Sequence, residues 1–412
     1  MRKKYDIIFV GAGLTNATIA SAIASKRGYH PTKHLHMLVI DRRDHIAGNC
    51  YTKKVDGINV HQYGAHIFHT SCETAASWME RFGTWKHFIN QPIAIFNGFT
   101  GRHVYNMPFN MNTFVQLFPG LITPAEVKAR IDREIAEANI TQPKNLAEQA
   151  ISMVGKTVYE YLIKGYTEKQ WGRKCEELPP DIIKRLPVRF RFDNNYFNDT
   201  NQMMPTNGYT EVIDEMFKSV TDYGNTIDIV LNTSYKDLLE KGIKGKYVFY
   251  SGGIDEFYDY KFGALQYRSV KFKTKKLKMA NAQGCPVINY TSLDVPYTRS
   301  IEHKWFEPDN ALSTKNTIVS YEYSREWRKG IEPYYPIGNN ENRAKYVQYM
   351  QYHNTTKDAG RIQFVGRLGK YSYMDMDDCI LDALTTAQNY VKMEAEHERD
   401  EITKSIKKKL NV

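Results

Sequence analysis

A small set of residues in this chain has the types and spacing needed to hold a phosphorylated nucleotide. Gly11 and Gly13 follow the apolar run at residues 7–10. A glycine at the first position permits a tight turn. At the second it lets backbone N–H groups approach a pyrophosphate at the N-terminus of the helix that follows. Asn16 stands where such a fingerprint usually has its third glycine. Asp41 closes the next apolar run, residues 35–40, where an acid accepts hydrogen bonds from a ribose. It comes thirty residues after Gly11 because residues 28–34 read as an enlarged loop. The polar stretch from Arg42 to Asn49 then passes close to whatever the first helix holds.

Further along, His61, His66 and His69 surround Gly64. Zinc is one chemistry for such a cluster, but the helical spacing and carboxylate arrangement of a metalloprotease are missing. A loop lying against a flat cofactor is the expectation, with no metal. Tyr166 and Trp171 precede Arg185 and Arg189. As core aromatics the first two would do no chemistry, whereas beside arginines they suit stacking on a base and clamping of phosphates. Tyr196 continues this polar aromatic character, and Arg299, Tyr334 and Tyr335 follow later. A last run, residues 366–377, carries Arg367, Tyr373, Asp375 and Met376.

These residues need a scaffold of more than one core, and 412 residues supply two or three domains. Hydrophobic content of 42% and charged content of 25% are those of a globular protein. The net charge of +10 admits nucleic acid, a membrane surface or a small acidic substrate. Its basic runs, residues 271–278 and 404–409, read first as a solvated strand face and a helix end. Five scattered cysteines without a Cys-x-x-Cys spacing argue against a disulfide framework and for a reducing compartment. With no signal peptide or membrane-length apolar run, a cytoplasmic location is expected.

The element pattern is α/β: a dinucleotide-binding, Rossmann-like domain at residues 1–90, 205–265 and 358–412, interrupted twice. Residues 120–190 form a helical domain. Thr123-Pro124 is an N-cap followed by proline at the first helical position, and Asn145 with Glu148 resembles a capping box. A helix is expected to run on through Val158 and Leu162. Residues 91–118 and 266–335 give an antiparallel sheet, with a hairpin at 96–105.

Read together, the motifs resemble those of the bacterial UDP-galactopyranose mutase family. They are Gly-Ala-Gly-Leu-Thr-Asn from Gly11, Tyr-Gly-Ala-His-Ile-Phe-His-Thr from Tyr63, Tyr-Thr-Glu-Lys-Gln-Trp from Tyr166, Tyr-Thr-Arg from Tyr297, and Gly-Arg-Leu-Gly-Lys-Tyr-Ser-Tyr-Met-Asp-Met-Asp from Gly366. The first is generic; the other four are close to diagnostic together. The resemblance implies bound FAD, active when reduced, and interconversion of UDP-galactopyranose and UDP-galactofuranose without net redox change. In the family's chemistry flavin N5 attacks the anomeric carbon, UDP departs, and the ring opens and recloses before UDP returns.

The resemblance assigns roles residue by residue. Arg185 and Arg299 match the two phosphate arginines, and Tyr196, Tyr335 and Tyr373 match hydroxyls on the diphosphate, with Tyr334 an alternative to Tyr335. Tyr166 matches the tyrosine on uracil, Trp171 the tryptophan near the sugar, and His66 the loop beside the flavin ring. Arg367, Asp375 and Met376 match the stretch bordering the flavin, with Asp375 also on the substrate side. Asn110 joins the expected substrate contacts, and Gly11, Gly13, Asn16, Asp41, Arg42, Asn49 and Val230 the expected cofactor contacts. A homodimer is also implied, and a lid between Tyr166 and Arg185 is expected because charged and aromatic groups there must close over UDP and later release it. Two departures stand out: Leu162 and Ile163 replace an aromatic pair ahead of the uracil tyrosine, and Asp41 replaces a glutamate. The competing classes are the same chemistry on UDP-N-acetylgalactosamine, a flavin oxidoreductase of the amine-oxidase type, and a basic binding protein without catalysis. The paired arginines beside uracil aromatics disfavour the oxidoreductase, and binding of nucleic acid is not expected.

Overall fold

The computed structural model describes residues 2–28, 33–99, 101–184, 186–307, 309 and 313–410, with side chains of 402 and 405–410 excepted. Arg185 and much of the enlarged loop at 28–34 lie outside the described residues.

The strand Lys4–Val10 sits in the middle of a five-stranded parallel sheet. The strands run in the order Thr226–Val230, His36–Ile40, Lys4–Val10, Lys244–Tyr250, Ile362–Phe364. Because successive side chains point to opposite faces, Ile7 and Phe9 enter one core while Ile8 enters another, with Val10 packed against it. Both faces are therefore buried, which explains the nearly continuous apolar run. On one face lies the helix Leu14–Arg27, whose small Ala17, Ala20 and Ala24 let it share a core with Ile380, Ala383 and Ala387 of the long helix Met376–Leu410. The helix Asn340–Thr355 covers the other face through the fully buried Tyr349.

A seven-stranded sheet forms the second layer, in the order Tyr335–Pro336, Tyr267–Leu277, Thr317–Glu326, Arg299–Glu302, Val287–Tyr290, Ile93–Gly98, Gly101–Asn106. It is antiparallel except where Val287–Tyr290 meets Ile93–Gly98 in parallel. The hairpin at 96–105 is its edge.

The helical insert begins as its caps require. Thr123 and Glu126 make a full capping box on Pro124–Ala138, which ends at Asn139 in the left-handed region. Asn145 caps Leu146–Val158, but Glu148 reaches the Lys144 N–H and the Asn145 side chain rather than the cap backbone. The expected straight helix through Leu162 is broken at Gly155, where φ is +78°. There the buried Glu134 carboxylate accepts from Thr157 N at 2.8 Å and Thr157 Oγ1 at 2.7 Å, and a Cβ on residue 155 would lie 2.7 Å from Glu134 Oε2. The chain restarts as a π turn, Tyr159–Lys164, and then the helix Gly165–Trp171. The break thus re-aims the segment that carries Leu162, Ile163, Tyr166 and Trp171. Among the described residues no helix is long and apolar enough to cross a membrane.

Candidate functional site

Where the parallel sheet, the second sheet and the helical insert meet, they enclose a cavity of about 1290 Å³. That is larger than the roughly 300–1,000 Å³ typical of a pocket for one small molecule. It reaches from the glycine turn at Gly11 to the helix Gly165–Trp171.

At the first end, Gly13 caps the helix Leu14–Arg27 with no side chain on its N–H groups and no acid in its first turn, so the positive end of the helix faces the cavity unopposed. Gly48 holds the opposite wall, with φ at +54°, and a Cβ there would meet the Gly13 Cα at 3.1 Å. Only glycine allows the two backbones to close this cradle. Asn16, in place of a third glycine, donates from Nδ2 to the carbonyls of Val10 at 3.0 Å and Gly11 at 2.8 Å, tying off the strand end. The Asp41 carboxylate accepts from Ala12 N at 2.8 Å and Arg43 N at 2.9 Å. Each oxygen accepts one of these bonds, and a carboxylate has roughly four acceptor sites, so capacity for ribose hydroxyls remains. Arg43 Nη1 is buried without a hydrogen-bond partner among the described residues, while its Nη2 bonds Asn49 at 2.9 Å. Arg42 and Arg43 both pair with Glu332, on the segment leading to Tyr334 and Tyr335. A bare helix terminus, a two-glycine cradle, a fixed acid and an unsatisfied guanidinium N–H fit the pyrophosphate and ribose of a dinucleotide such as FAD.

The other end is cationic and aromatic. Arg299 and Glu322 are cross-strand partners, so their side chains share a face. Arg299 Nε lies 3.1 Å from both Glu322 oxygens, and Nη2 lies 2.7 Å from Oε2. Burial is the largest single influence and works to lower the guanidinium's pKa, but the Glu322 charge, together with Tyr166, Tyr335 and the hydrogen bond to Glu322, leaves it above its ordinary value. Tyr166, Tyr196, Tyr335 and Tyr373 line the same space. Burial raises all four phenols, Tyr373 to about 12, so they remain hydrogen-bond donors at neutral pH. Arg367 lies 5.6 Å from the Tyr335 ring and 5.3 Å from the Tyr373 ring, and its Nη2 donates to the Tyr334 carbonyl at 2.9 Å. Tyr335 stacks on Tyr373 at 6.1 Å, whereas Tyr334 is buried against Tyr63 and Phe272. Of the two tyrosines, the structure aims Tyr335 at the arginines. The arrangement offers cations and phenol hydroxyls to a diphosphate.

His66 lies between the two ends. Its Nδ1 donates to the Gly64 carbonyl at 2.9 Å, since a carbonyl can only accept. Burial lowers its pKa to about 4, the Gly64 bond opposes this, and the charges of Arg367 and Arg299 reinforce it. The ring is neutral at physiological pH. The other two histidines diverge from it: His61 is buried against His303, and His69 pairs with Asp199.

Trp171, Arg42, Asn49, Asp375 and Met376 also line the cavity. Two expected residues among those described do not. Asn110 is fully buried as the N-cap of Met111–Leu117, its amide spent on Pro108, Asn112 and Asn194, so it is a structural cap rather than a substrate contact. Val230 ends an edge strand and gives its carbonyl to Asp41 N; Thr233, Ser234 and Tyr235 line the wall in its place. Three residues escaped the sequence reading. Glu322 had a signal, because alternation between Tyr321 and Tyr323 places an acid on the inner face of a strand. Asn90, whose buried Oδ1 has no partner among the described residues, had none. Nor had Lys169, whose Nζ donates to the carbonyls of Tyr290, Val295 and Tyr297 at 2.7, 3.0 and 3.0 Å. This ammonium fastens the helix of Tyr166 and Trp171 to the turn that leads into Arg299.

The family model described as UDP-galactopyranose mutase matches residues 161–373, and that of an NAD(P)-binding Rossmann-like domain matches residues 10–90. The chain is 40% identical to a "Probable UDP-galactopyranose mutase" of Klebsiella pneumoniae, over 95% of this chain and 96% of that one. It is 36% identical to the dTDP-fucopyranose mutase of Escherichia coli, over 94% and 98% of the two chains. Among solved structures, reduced UDP-galactopyranose mutase superposes with a TM-score of 0.68 at 13% identity, over 94% of this chain and 96% of that one. A putrescine oxidase variant does so with 0.56 at 12%, over 95% and 99%. At these identities the superpositions establish the fold alone.

Proposed function

This chain belongs to the UDP-galactopyranose mutase family of isomerases, and on that premise we propose that it interconverts UDP-galactopyranose and UDP-galactofuranose using reduced FAD. The observation that carries the proposal is the continuity of one cavity, with a dinucleotide cradle at one end and Arg299, Arg367 and four phenols at the other. When bound, reduced FAD supplies at N5 the nucleophile that holds the sugar while its ring opens and recloses. Gly13, Asn16, Asp41, Arg43 and Gly48 hold the cofactor's ADP portion, and His66, Arg367, Asp375 and Met376 border the ring end.

The protein's own task is to keep UDP in place while it is detached from the sugar. Arg299, oriented by Glu322, and the hydroxyls of Tyr196, Tyr335 and Tyr373 hold the diphosphate, and charge-assisted contacts contribute about 1.5–3 kcal/mol each. Arg185, which the resemblance pairs with Arg299, is assigned as the second phosphate arginine. Tyr166 and Trp171 take the base and the sugar side, with Leu162 and Ile163 beneath. Neutral His66 offers a hydrogen bond without adding a third charge beside the two arginines.

A second reading, dTDP-fucopyranose, has a specific observation behind it: Leu162 and Ile163 give the base end an aliphatic wall suited to a thymine methyl group. Product analysis after incubating the reduced holoenzyme with each sugar nucleotide separates the two. Conversion of the dTDP-sugar alone would replace the UDP-galactose reading, and conversion of neither would remove both.

A further inference from the structure

Resting on the mutase reading, we propose that His69, backed by Asp199, is the acid–base group that carries a proton between the sugar hydroxyls during ring contraction. In the pyranose, O5 closes the ring and O4 bears a proton; in the furanose the roles are exchanged. Ring opening breaks the C1–O5 bond and O5 takes up a proton, and reclosure forms the C1–O4 bond as O4 gives one up. One proton therefore moves from O4 to O5, with none consumed, and a single residue that accepts and returns it balances the step.

His69 is built for this and His66 is not. His69 Nδ1 donates to Asp199 Oδ2 at 2.7 Å, and Asp199 Oδ1 accepts from Ser71 Oγ at 2.9 Å, so the carboxylate is fixed and placed to stabilise an imidazolium. Phe197 stacks on the imidazole at 3.7 Å and 16°, setting its plane. Among the described residues Nε2 has no hydrogen-bond partner, and it is the nitrogen left to exchange protons. His69, Phe197, Asp199 and Asp375 all line the cavity, beside Tyr196. His69 is paired with Asp199 and lies near Asp375, which also feels Asp377 and Asp378 at the start of the long helix and Arg367. Of the charges acting on Asp375, that of His69 is the largest. His66 instead faces two arginines and gives its Nδ1 proton to a main-chain carbonyl, so it cannot readily hold a second.

The test compares wild type, His69→Gln and Asp199→Asn as reduced holoenzymes. It measures kcat and KM for the sugar nucleotide across pH, together with UDP affinity by calorimetry on the oxidised proteins. For His69→Gln, kcat is expected to fall about a hundredfold, with UDP affinity within twofold of wild type and one ionisation gone from the kcat profile. Asp199→Asn should also lower kcat with UDP affinity within twofold of wild type, because the ring loses the carboxylate that fixes it. A kcat within threefold of wild type in His69→Gln overturns the proposal. So does a loss of rate fully matched by a loss of UDP affinity, which would make the His69–Asp199 pair a tie for the Tyr196 segment. An inactive wild type would instead defeat the mutase reading itself.

Discussion

Replacing Glu322 by Gln tests whether Arg299 works because it is charged or because it is aimed. The carboxylate receives Arg299 Nε at 3.1 Å and Nη2 at 2.7 Å, and Thr298 Oγ1 at 3.1 Å, while being only 3% exposed. Glutamine can accept through its single amide oxygen, but its NH2 must then face a guanidinium N–H or rotate away. One charge-assisted contact, worth about 1.5–3 kcal/mol, is lost outright and the other weakens. Working against this, an unneutralised guanidinium attracts a diphosphate more strongly, and Arg299 keeps cavity access with its side chain 24% exposed. Taking the net as about 2 kcal/mol, kcat/KM should fall roughly thirtyfold. The assay is chromatographic product formation by the reduced enzyme, with chemical denaturation alongside to confirm that the variant is folded. A folded Glu322→Gln enzyme with wild-type or improved kcat/KM would refute the reasoning and leave Arg299 as a point charge needing no orienter.

Gly48→Ala should abolish most flavin retention, read as the 450 nm to 280 nm absorbance ratio after gel filtration, because its Cβ would enter the cradle 3.1 Å from Gly13; full retention would contradict the assignment of that cradle. Lys169→Met leaves three carbonyls unpaired and loosens the helix of Tyr166 and Trp171, so KM for the sugar nucleotide should rise about tenfold, with Lys169→Arg restoring part of it. Stability should decline in acid. His303 is fully buried with its pKa lowered by burial to about 3, and burial likewise lowers His66, to about 4, and His61. Below an unfolded pKa of about 6.5 the unfolded chain binds protons that the folded chain refuses, so stability falls as pH falls. His303 alone removes about 3 kcal/mol between roughly pH 6.5 and 4 at about 1.4 kcal/mol per unit; denaturation midpoints for wild type and His303→Gln measure it, and equal slopes would contradict it.

The parts of the molecule governed by local rules were legible in the sequence. The strand–glycine turn–helix at Gly11, the Thr123 cap with Pro124, and the hairpin at 96–105 each depend on neighbours in the chain. The break at Gly155 was not legible, because the apolar spacing continues through it and the cause is Glu134, on a different helix. The same distinction applies to the site. The motif residues Arg299, Tyr335 and Arg367 are named from the sequence, and the structure places them together at one end of a cavity. Asn110 lies off the cavity as a buried helix cap; a cap and a ligand contact use the same amide, and only burial tells them apart. Lys169 was passed over because a lysine on a short helix looks solvated until the turn at 290–297 folds over it.

The most direct measurement is the product formed when the anaerobically reduced holoenzyme meets UDP-galactofuranose, followed by chromatography with the flavin spectrum recorded throughout. UDP-galactopyranose should accumulate to equilibrium over many turnovers while the flavin stays reduced. No product, or product formed only as the flavin is oxidised in equal amount, would contradict the account.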